Sequence, residues 1–407
     1  MQYNELKSLL DMHGQAHVLR WWNELDEAGR EKLAAQIANI DWETVSLSHI
    51  GENSGRDKIE PIEGLSLEEI DARRAEFSAV GQEAIVKGKV AAVLLAGGQG
   101  TRLGSDGPKG AYNIGLTRPL YIFEQLIRNL QDVTNACGAY VPLLIMTSEL
   151  HDAATRAFFE AHAYFGYPEE EVFFFGQEMA PAMDEHGKLL MSGKDSLALS
   201  PNGNGGWYSS LERAGLVEKM AARGVEWFNV FAVDNVLQRI ADPVFVGATI
   251  ASGKASGAKF VRKGYPAERV GVLCLEDGLP TVIEYYELSD EMADLRDETG
   301  RLVYSFGVTL NYLFRLDVLK EIVSRRLPVH AAHKKVSCLN ESGALVAPER
   351  ENGYKFETLI LDMVRQAGTC LPFEIVREHE FAPIKNKTGK DSVESARELL
   401  KLNGVQL

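Results

Sequence analysis

Apolar residues recur three and four positions apart through the first part of the chain: Leu6, Leu9 and Leu10, then Val18, Leu19, Trp22 and Leu25, then Leu33 and Ile37, each set among charged neighbours. Such spacing lays one apolar stripe along a helix, so it predicts a helical region over residues 1–85, with Trp21 and Trp22 packing inside it. Residues 48–63 carry Gly51, Asn53, Ser54, Gly55 and Pro61 and read as a loop. Past Ile85 the period changes. Short apolar runs at 90–96, 141–146, 172–175 and 227–233 read as strands, with amphipathic helices at 120–130 and 153–162 between them. Phe173, Phe174 and Phe175 belong to a core strand on this reading. The alternation predicts an α/β fold with a parallel sheet covered by helices, and ligands gathering at the carboxyl ends of its strands. Two strands end in polar residues: 227–233 runs into Asp234 and Asn235, and 281–283 into Glu284 and Tyr285. A last amphipathic helix is predicted at 392–400, which divides the chain into 1–85, a main domain over 86–390, and a short C-terminal helix over 391–407.

The first of these strands carries the candidate chemistry. It leads into Leu95, Ala96, Gly97, Gly98, Gln99, Gly100, Thr101, Arg102, Leu103 and Gly104, followed by Pro108, Lys109 and Gly110. A glycine-rich turn after a strand can wrap backbone N–H groups around phosphate, and Arg102 and Lys109 add charge. Two familiar alternatives fail on spacing. A Walker loop needs Ser or Thr after its lysine, where Gly110 stands, and a dinucleotide fingerprint needs glycine where Leu103 stands. A second glycine loop spans Pro201, Asn202, Gly203, Asn204, Gly205 and Gly206, and Lys355 and Lys385 supply further cations. Cations converging on phosphates, with the strand-end carboxylate Asp234 available for Mg²⁺, suit phosphoryl or nucleotidyl transfer, in which positioning and charge stabilisation do most of the catalysis. No protein nucleophile is needed, and no G-x-S-x-G elbow, Cys/His arrangement or H-E-x-x-H motif is present.

Composition narrows the setting. The 407 residues are 45% hydrophobic, enough for substantial cores, and carry a net charge of -15 from 43 basic and 58 acidic residues. An acidic chain without a Lys/Arg block is a poor general binder of nucleic acid. The cysteines Cys137, Cys274, Cys338 and Cys370 are far apart in sequence, fit neither a zinc site nor a disulfide framework, and suggest a reducing cytoplasm. Neither an export signal nor a membrane-spanning run is evident. His330 and His333 could share a helix face, but without a third ligand structural or surface roles are expected for them.

Taken together, the motifs resemble those of UDP-sugar pyrophosphorylases, and most of all the UDP-N-acetylglucosamine pyrophosphorylases. The resemblance runs from Leu6 and the segment 19–25 through 95–104, 145–148, 202–206, 233–235 and 282–285 to Pro383, Ile384, Lys385 and Asn386. It implies a nucleotidyltransferase fold of glycosyltransferase-A-like, Rossmann type, with a central mixed sheet flanked by helices and an appended N-terminal helical region. The implied reaction takes UTP and a sugar 1-phosphate reversibly to a UDP-sugar and pyrophosphate, with Mg²⁺, in a cytoplasmic protein that is a monomer or weak homo-oligomer. By the same resemblance Arg102, Lys109 and Lys385 act on the phosphates. Leu95, Ala96, Gly97 and Gly98 line the nucleotide, Gln177 and Gly203 read uracil, and Asn204, Glu284 and Asn311 bind the sugar. Lys355 binds phosphate, and Asp234 is the candidate magnesium ligand.

Two residues depart from the pattern. Val308 stands where the acetylglucosamine enzymes carry asparagine beside a glycine, and Phe306 is bulkier than expected. Both bear on the sugar, so glucose or galactose 1-phosphate, or several sugar 1-phosphates, remain alternative substrates. An inactive nucleotide-sugar-binding regulatory protein is the alternative of a different class, against which Arg102, Lys109 and Asp234 together argue. With its end at Leu407, the chain is expected to be a compact member of the family.

Overall fold

The computed structural model describes residues 1–42, 45, 58–98 and 100–407. Most of the predicted loop at 48–63, and Gln99 of the glycine loop, lie outside the described residues. Contacts divide the chain into two units, each assembled from separate stretches. The first comprises residues 1–55, 178–206 and 327–360, and the second residues 56–177, 207–326 and 361–407.

In the first unit the N-terminal helices, α1 (Tyr3–Met12) and α2 (Glu27–Ala38), bury Leu6, Leu10, Leu33 and Ile37. These residues share a core with Met183, Leu189, Met191, Leu197 and Phe356, which come from the two later stretches. Polar side chains add specificity. Gln15 donates to the Gly187 carbonyl at 2.8 Å and accepts from the Leu189 amide at 3.0 Å, and Gln36 accepts from the Leu197 amide at 2.8 Å. His330 and His333 lie on the strand His330–Lys334, so the helix face considered for them does not exist. Residues three apart on a strand point to opposite faces. His333 stacks on Tyr354 and faces Glu185 and Glu351.

The second unit holds a ten-stranded mixed sheet. Its strands are β1 (Ile59–Glu60), β2 (Val90–Leu95), β3 (Leu143–Thr147), β4 (Val172–Gly176), β5 (Trp227–Ala232), β6 (Ser256–Arg262), β7 (Val272–Glu276), β8 (Leu279–Ile283), β9 (Phe306–Arg315) and β10 (Cys370–Glu374). The main path runs β1-β7-β9-β5-β2-β3-β4; β6 pairs with β9 and β10, and β8 with β7. The predicted strands are present, within a residue or two, and β1 falls in the stretch read as a loop. Pairing is parallel from β5 through β2 and β3 to β4, and between β6 and β10; elsewhere it is antiparallel. The parallel pairing that the alternation predicts holds at the centre of the sheet, and the sheet is mixed, as the resemblance implies, because hairpin connections, invisible to the apolar pattern, add antiparallel strands. Every residue of β2 is buried, as a strand covered on both faces requires.

Helices α3 (Arg74–Val86), α4 (Ile122–Cys137) and α5 (Asp152–Ala161) accompany these strands, and α6 (Pro243–Ser252) follows β5. Glycines let α3 and α6 touch at backbone distance. A methyl group at Gly81 would collide with the Pro243 carbonyl oxygen, and one at Gly247 with the Phe77 carbonyl oxygen. The last helix, α7 (Val393–Leu402), buries Val393, Ala396 and Leu400, as its pattern predicts. Gly247→Ala is expected to push the two helices apart and lower stability by about 1–3 kcal/mol; chemical denaturation of the variant beside the parent measures the difference.

Candidate functional site

Parallel register sets the ends of four strands side by side. Leu95 pairs with Met146 of β3 and with Ala232 of β5, and Thr147 pairs with Gly176 of β4. The residues that follow, Ala96 to Gly98, Ser148, Gln177 and Asp234, therefore gather at one edge of the sheet. The Ala96 amide and the Leu95 carbonyl are already used there, bonding to Met146 at 2.9 Å and to Val233 at 3.2 Å. Gln177 lies over the glycine turn: a methyl group at Gly97 would come within 2.6 Å of its Oε1 atom. At Gly98, by contrast, a methyl group meets nothing within 4 Å.

Beyond Gly98 the chain folds back on itself. The Ser105 amide donates to the Gly100 carbonyl at 3.1 Å, and Gly104 takes a left-handed φ of 71°. The Lys109 amide returns to the Gly98 carbonyl at 3.4 Å. Gly110 is required here, because any side chain would strike the Phe123 ring of α4. This path leaves Arg102 exposed and Lys109 partly buried. Burial pushes the Lys109 ammonium below the usual lysine range; Asp234 opposes that fall, while Arg102 and Lys385 deepen it. Four residues separated by up to 283 positions in sequence thus share one electrostatic neighbourhood.

The charge of Lys385 also bears on Glu284, just past the end of β8. Burial raises the Glu284 carboxyl above its ordinary range, Glu287 raises it further, and Lys385 pulls it down. Beside Glu284 lie Gly271 and Val308, because Val272 pairs with both Ile283 and Gly307. A methyl group at Gly271 would meet Val308 at 3.5 Å, and the Val308 amide donates to the Gly271 carbonyl at 2.9 Å. Phe306 is stacked on Phe260 with ring centres 3.8 Å apart, which accounts for its bulk as packing.

Asn311 pairs with Phe231 of β5, one residue short of Ala232 at these strand ends. It is 1% exposed; its Oδ1 accepts from Asn229 at 2.8 Å, and its Nδ2 donates to the Arg239 carbonyl at 3.5 Å. A carboxamide so engaged braces the core. Gly203, Asn204 and Lys355 belong to the first unit. There Gly203 has a φ of 88° and a methyl group would strike the Thr358 carbonyl, Asn204 Oδ1 accepts from the Ile360 amide at 2.9 Å, and Lys355 pairs with Ala332 across a two-stranded ribbon.

Two residues near the glycine turn escaped the sequence reading. Lys387 Nζ would lie 2.9 Å from a methyl group at Gly104, and Asn235, noted only as the neighbour of Asp234, is 2% exposed and fully engaged. The run Lys385, Asn386, Lys387 held a second basic residue as the only hint of the first.

Among the residues of this edge Asp234 is the one suited to magnesium. Asp234 is partly buried at a strand end beside Lys109, and no group of three His, Cys, Asp or Glu side chains that could hold a metal occurs among the described residues. A single carboxylate fits an ion held chiefly by substrate phosphates and water rather than a protein cage.

Comparison with known proteins supplies the family. A family model described as UTP–glucose-1-phosphate uridylyltransferase matches residues 38–403. The chain is 38% identical over 415 residues to UDP-N-acetylhexosamine pyrophosphorylase-like protein 1 of Xenopus tropicalis, covering 95% of this chain and 81% of the relative. It is 36% identical over 425 residues to UDP-N-acetylglucosamine pyrophosphorylase of Saccharomyces cerevisiae, with 97% and 88% covered. The fold is similar to the crystal structure of the Trypanosoma brucei uridine diphosphate N-acetylglucosamine pyrophosphorylase in complex with inhibitor. The TM-score is 0.83 at 29% identity, with 97% of this chain and 83% of that one covered.

Lys109 offers a test of the electrostatics alone. An ammonium with a depressed folded pKa costs stability while it is charged; the cost is full below the folded value and fades as pH rises to the unfolded value, about 10.4. Lys109→Met is therefore expected to unfold at higher urea than the parent near neutral pH, by roughly 1 kcal/mol. The gap should close as pH approaches 10, and a variant less stable at neutral pH would contradict this balance.

Proposed function

The chain belongs to the UTP–glucose-1-phosphate uridylyltransferase family, and from that premise we propose that it converts UTP and N-acetylglucosamine 1-phosphate to UDP-N-acetylglucosamine and pyrophosphate. The gathering of Arg102, Lys109 and Lys385 with Asp234 at the ends of β2 and β5 carries this reading. The names of the relatives support the acetylamino sugar. The fold is read as the nucleotidyltransferase type, glycosyltransferase-A-like, with the N-terminal helices as an added region, and the protein as a cytoplasmic one. Among the described residues no helix is long and apolar enough to cross a membrane.

In this mechanism a phosphate oxygen of the sugar 1-phosphate attacks the α-phosphorus of UTP in line. The new bond joins that oxygen to the α-phosphorus, and the bond from the α-phosphorus to the bridging oxygen breaks, releasing pyrophosphate with the electron pair. Negative charge grows on the departing oxygens, where Arg102 and Lys109 are assigned to offset it. Lys109 is suited to this because its site is already partly desolvated, which strengthens each interaction with phosphate. Lys385 is assigned to the sugar phosphate, since it lies between Lys109 and Glu284 in the electrostatic sense given above. Asp234 would hold Mg²⁺, which supplies charge neutralisation across the phosphates. Gln177 is assigned to uracil, whose carbonyls and N–H match an amide and backbone groups. Glu284 is assigned to the sugar, and the backbone from Leu95 to Gly98 to the nucleotide.

A second reading, a broader or hexose-type sugar 1-phosphate specificity, is favoured by Val308. An aliphatic side chain there offers no partner to an acetamido group, and the Asn311 carboxamide is committed to Asn229. Pyrophosphate release with UTP and a panel of sugar 1-phosphates decides between the two. N-acetylglucosamine 1-phosphate is expected to give the highest kcat/KM; a clear preference for glucose 1-phosphate would establish the second reading, and no release with any sugar would refute the enzyme assignment.

Two substitutions follow from the same assay. Arg102→Ala is expected to lower kcat by about 100- to 1000-fold with a smaller change in KM, as removal of a transition-state contact does. An effect confined to KM would count against its role. Gly98→Ala has room for its methyl group in the fold, so thermal stability should hold while UTP affinity falls because the nucleotide can no longer approach the backbone.

A further inference from the structure

Lys385 is held near Asp234 by a neighbour whose side chain has no assigned part in the reaction. Asn235 follows Asp234 directly, and both ends of its carboxamide are bonded to the segment that leads to Lys385. Its Nδ2 donates to the Glu380 carbonyl at 2.8 Å, and its Oδ1 accepts from the Ala382 amide at 2.9 Å and the Leu237 amide at 3.3 Å. The backbone completes an antiparallel bridge between Asn235 and Pro383. The Ile384 amide donates to the Asp234 carbonyl at 2.9 Å, and the Val236 amide to the Ala382 carbonyl at 3.3 Å. Residues 380–384 therefore run along 234–236, and the next side chain is Lys385.

A buried charge cluster lies under this splice. Lys259, with a side chain 1% exposed, pairs with Glu380 at 2.5 Å and with Asp242 at 3.2 Å, and donates to the Arg239 carbonyl at 3.2 Å. Glu380 is thus gripped twice, its carbonyl by Asn235 and its carboxylate by Lys259. The far end of the Lys385 loop is closed as well. The Lys385 amide donates to the Asp391 carbonyl at 2.6 Å, and Lys390 holds the Tyr265 hydroxyl at 2.8 Å and faces Glu268 at 3.6 Å.

We infer that Asn235 is a positioning residue, which sets Lys385 against the Asp234 and Lys109 cluster, with the Lys259–Glu380 ion pair as its foundation. A carboxamide is suited to the task because it can donate to one backbone group and accept from another at once, without bringing a charge beside Asp234. The inference rests on the phosphate role proposed for Lys385. Misplacement of a charge-stabilising group by even an ångström can cost on the order of 100-fold in rate.

The test is a double-mutant cycle on pyrophosphate release, with Asn235→Ala, Lys385→Ala and the double variant, each confirmed folded by thermal unfolding. Asn235→Ala is expected to lower kcat by roughly tenfold to 100-fold while KM for UTP stays within about threefold. In the Lys385→Ala background it should cost nothing more, since a residue that acts through Lys385 has nothing left to position. Losses that multiply would overturn the positioning role while leaving the Lys385 assignment in place. A fully active Lys385→Ala enzyme would overturn both. Should Asn235→Ala fail to fold, the pair Lys259→Met and Glu380→Gln, which removes both charges of the foundation together, replaces it in the cycle. The same loss in kcat, absent without Lys385, is expected, and multiplying losses would again refute the role.

Discussion

Six residues, Val90 to Leu95, are buried and paired in parallel with β5 along their whole length, and four of them, Ala92 to Leu95, with β3 on the other edge. Parallel pairing makes strands begin on one side and end on the other, so the chain leaves β2, β3, β4 and β5 at a common edge. The glycine turn, Gln177 and Asp234 meet for that reason alone. Nothing in their own side chains would bring them together, and a strand pointing the other way would remove its residue from the site.

Assembling the site in this way leaves the second unit with charges that are partly out of water. Lys109 is partly desolvated in the field of two other cations, with Asp234 opposing them, and Glu284 is half-buried with Glu287 adding a like charge. Arrangements of this kind persist because the backbone around them is over-determined. Three buried asparagines do much of that work. Asn229 joins β5 to β9 through Asn311 and the Tyr312 carbonyl and accepts from the Ala241 amide at 2.7 Å, while Asn235 joins the same loop to the segment before Lys385. Two non-glycine residues in this region, Ala241 and Leu310, are held at positive φ, 49° and 51°. Leu310 lies where β9 slips its register against β6, with residues 309–311 opposite Lys259 alone, so a bulge is packed into the strand that carries Asn311.

The candidate site was legible in the sequence where the local motif itself dictates geometry. A strand that ends in glycines with a following Arg and Lys makes a tight turn suited to an anion, and the carboxylates at 234 and 284 were visible because each follows an apolar run. Asn311 was less legible. A polar residue in a strand looks the same in sequence whether it faces a ligand or another amide, and only the tertiary structure shows its bond to Asn229, 82 positions away. Asn235 illustrates the reverse. Its sequence position advertised only a strand end, and its function depends on a segment nearly 150 residues later.

Hydrophobic periodicity by itself indicated the N-terminal helices, α4, α5, α7, half of the sheet strands and the change of patterning near residue 85, because burying an apolar stripe or face is a local demand that each segment states for itself. The glycines likewise indicated that a tight turn follows β2. Tertiary structure alone decided which strands pair and in which direction, since pairing depends on hairpins and crossovers that leave no period. It also decided that the N-terminal helices share their core with residues 178–206 and 327–360, and that Lys385 is delivered to Asp234. Both are contacts between segments well over a hundred residues apart, fixed by the summed burial and hydrogen bonding of the whole unit rather than by anything a short window of sequence contains.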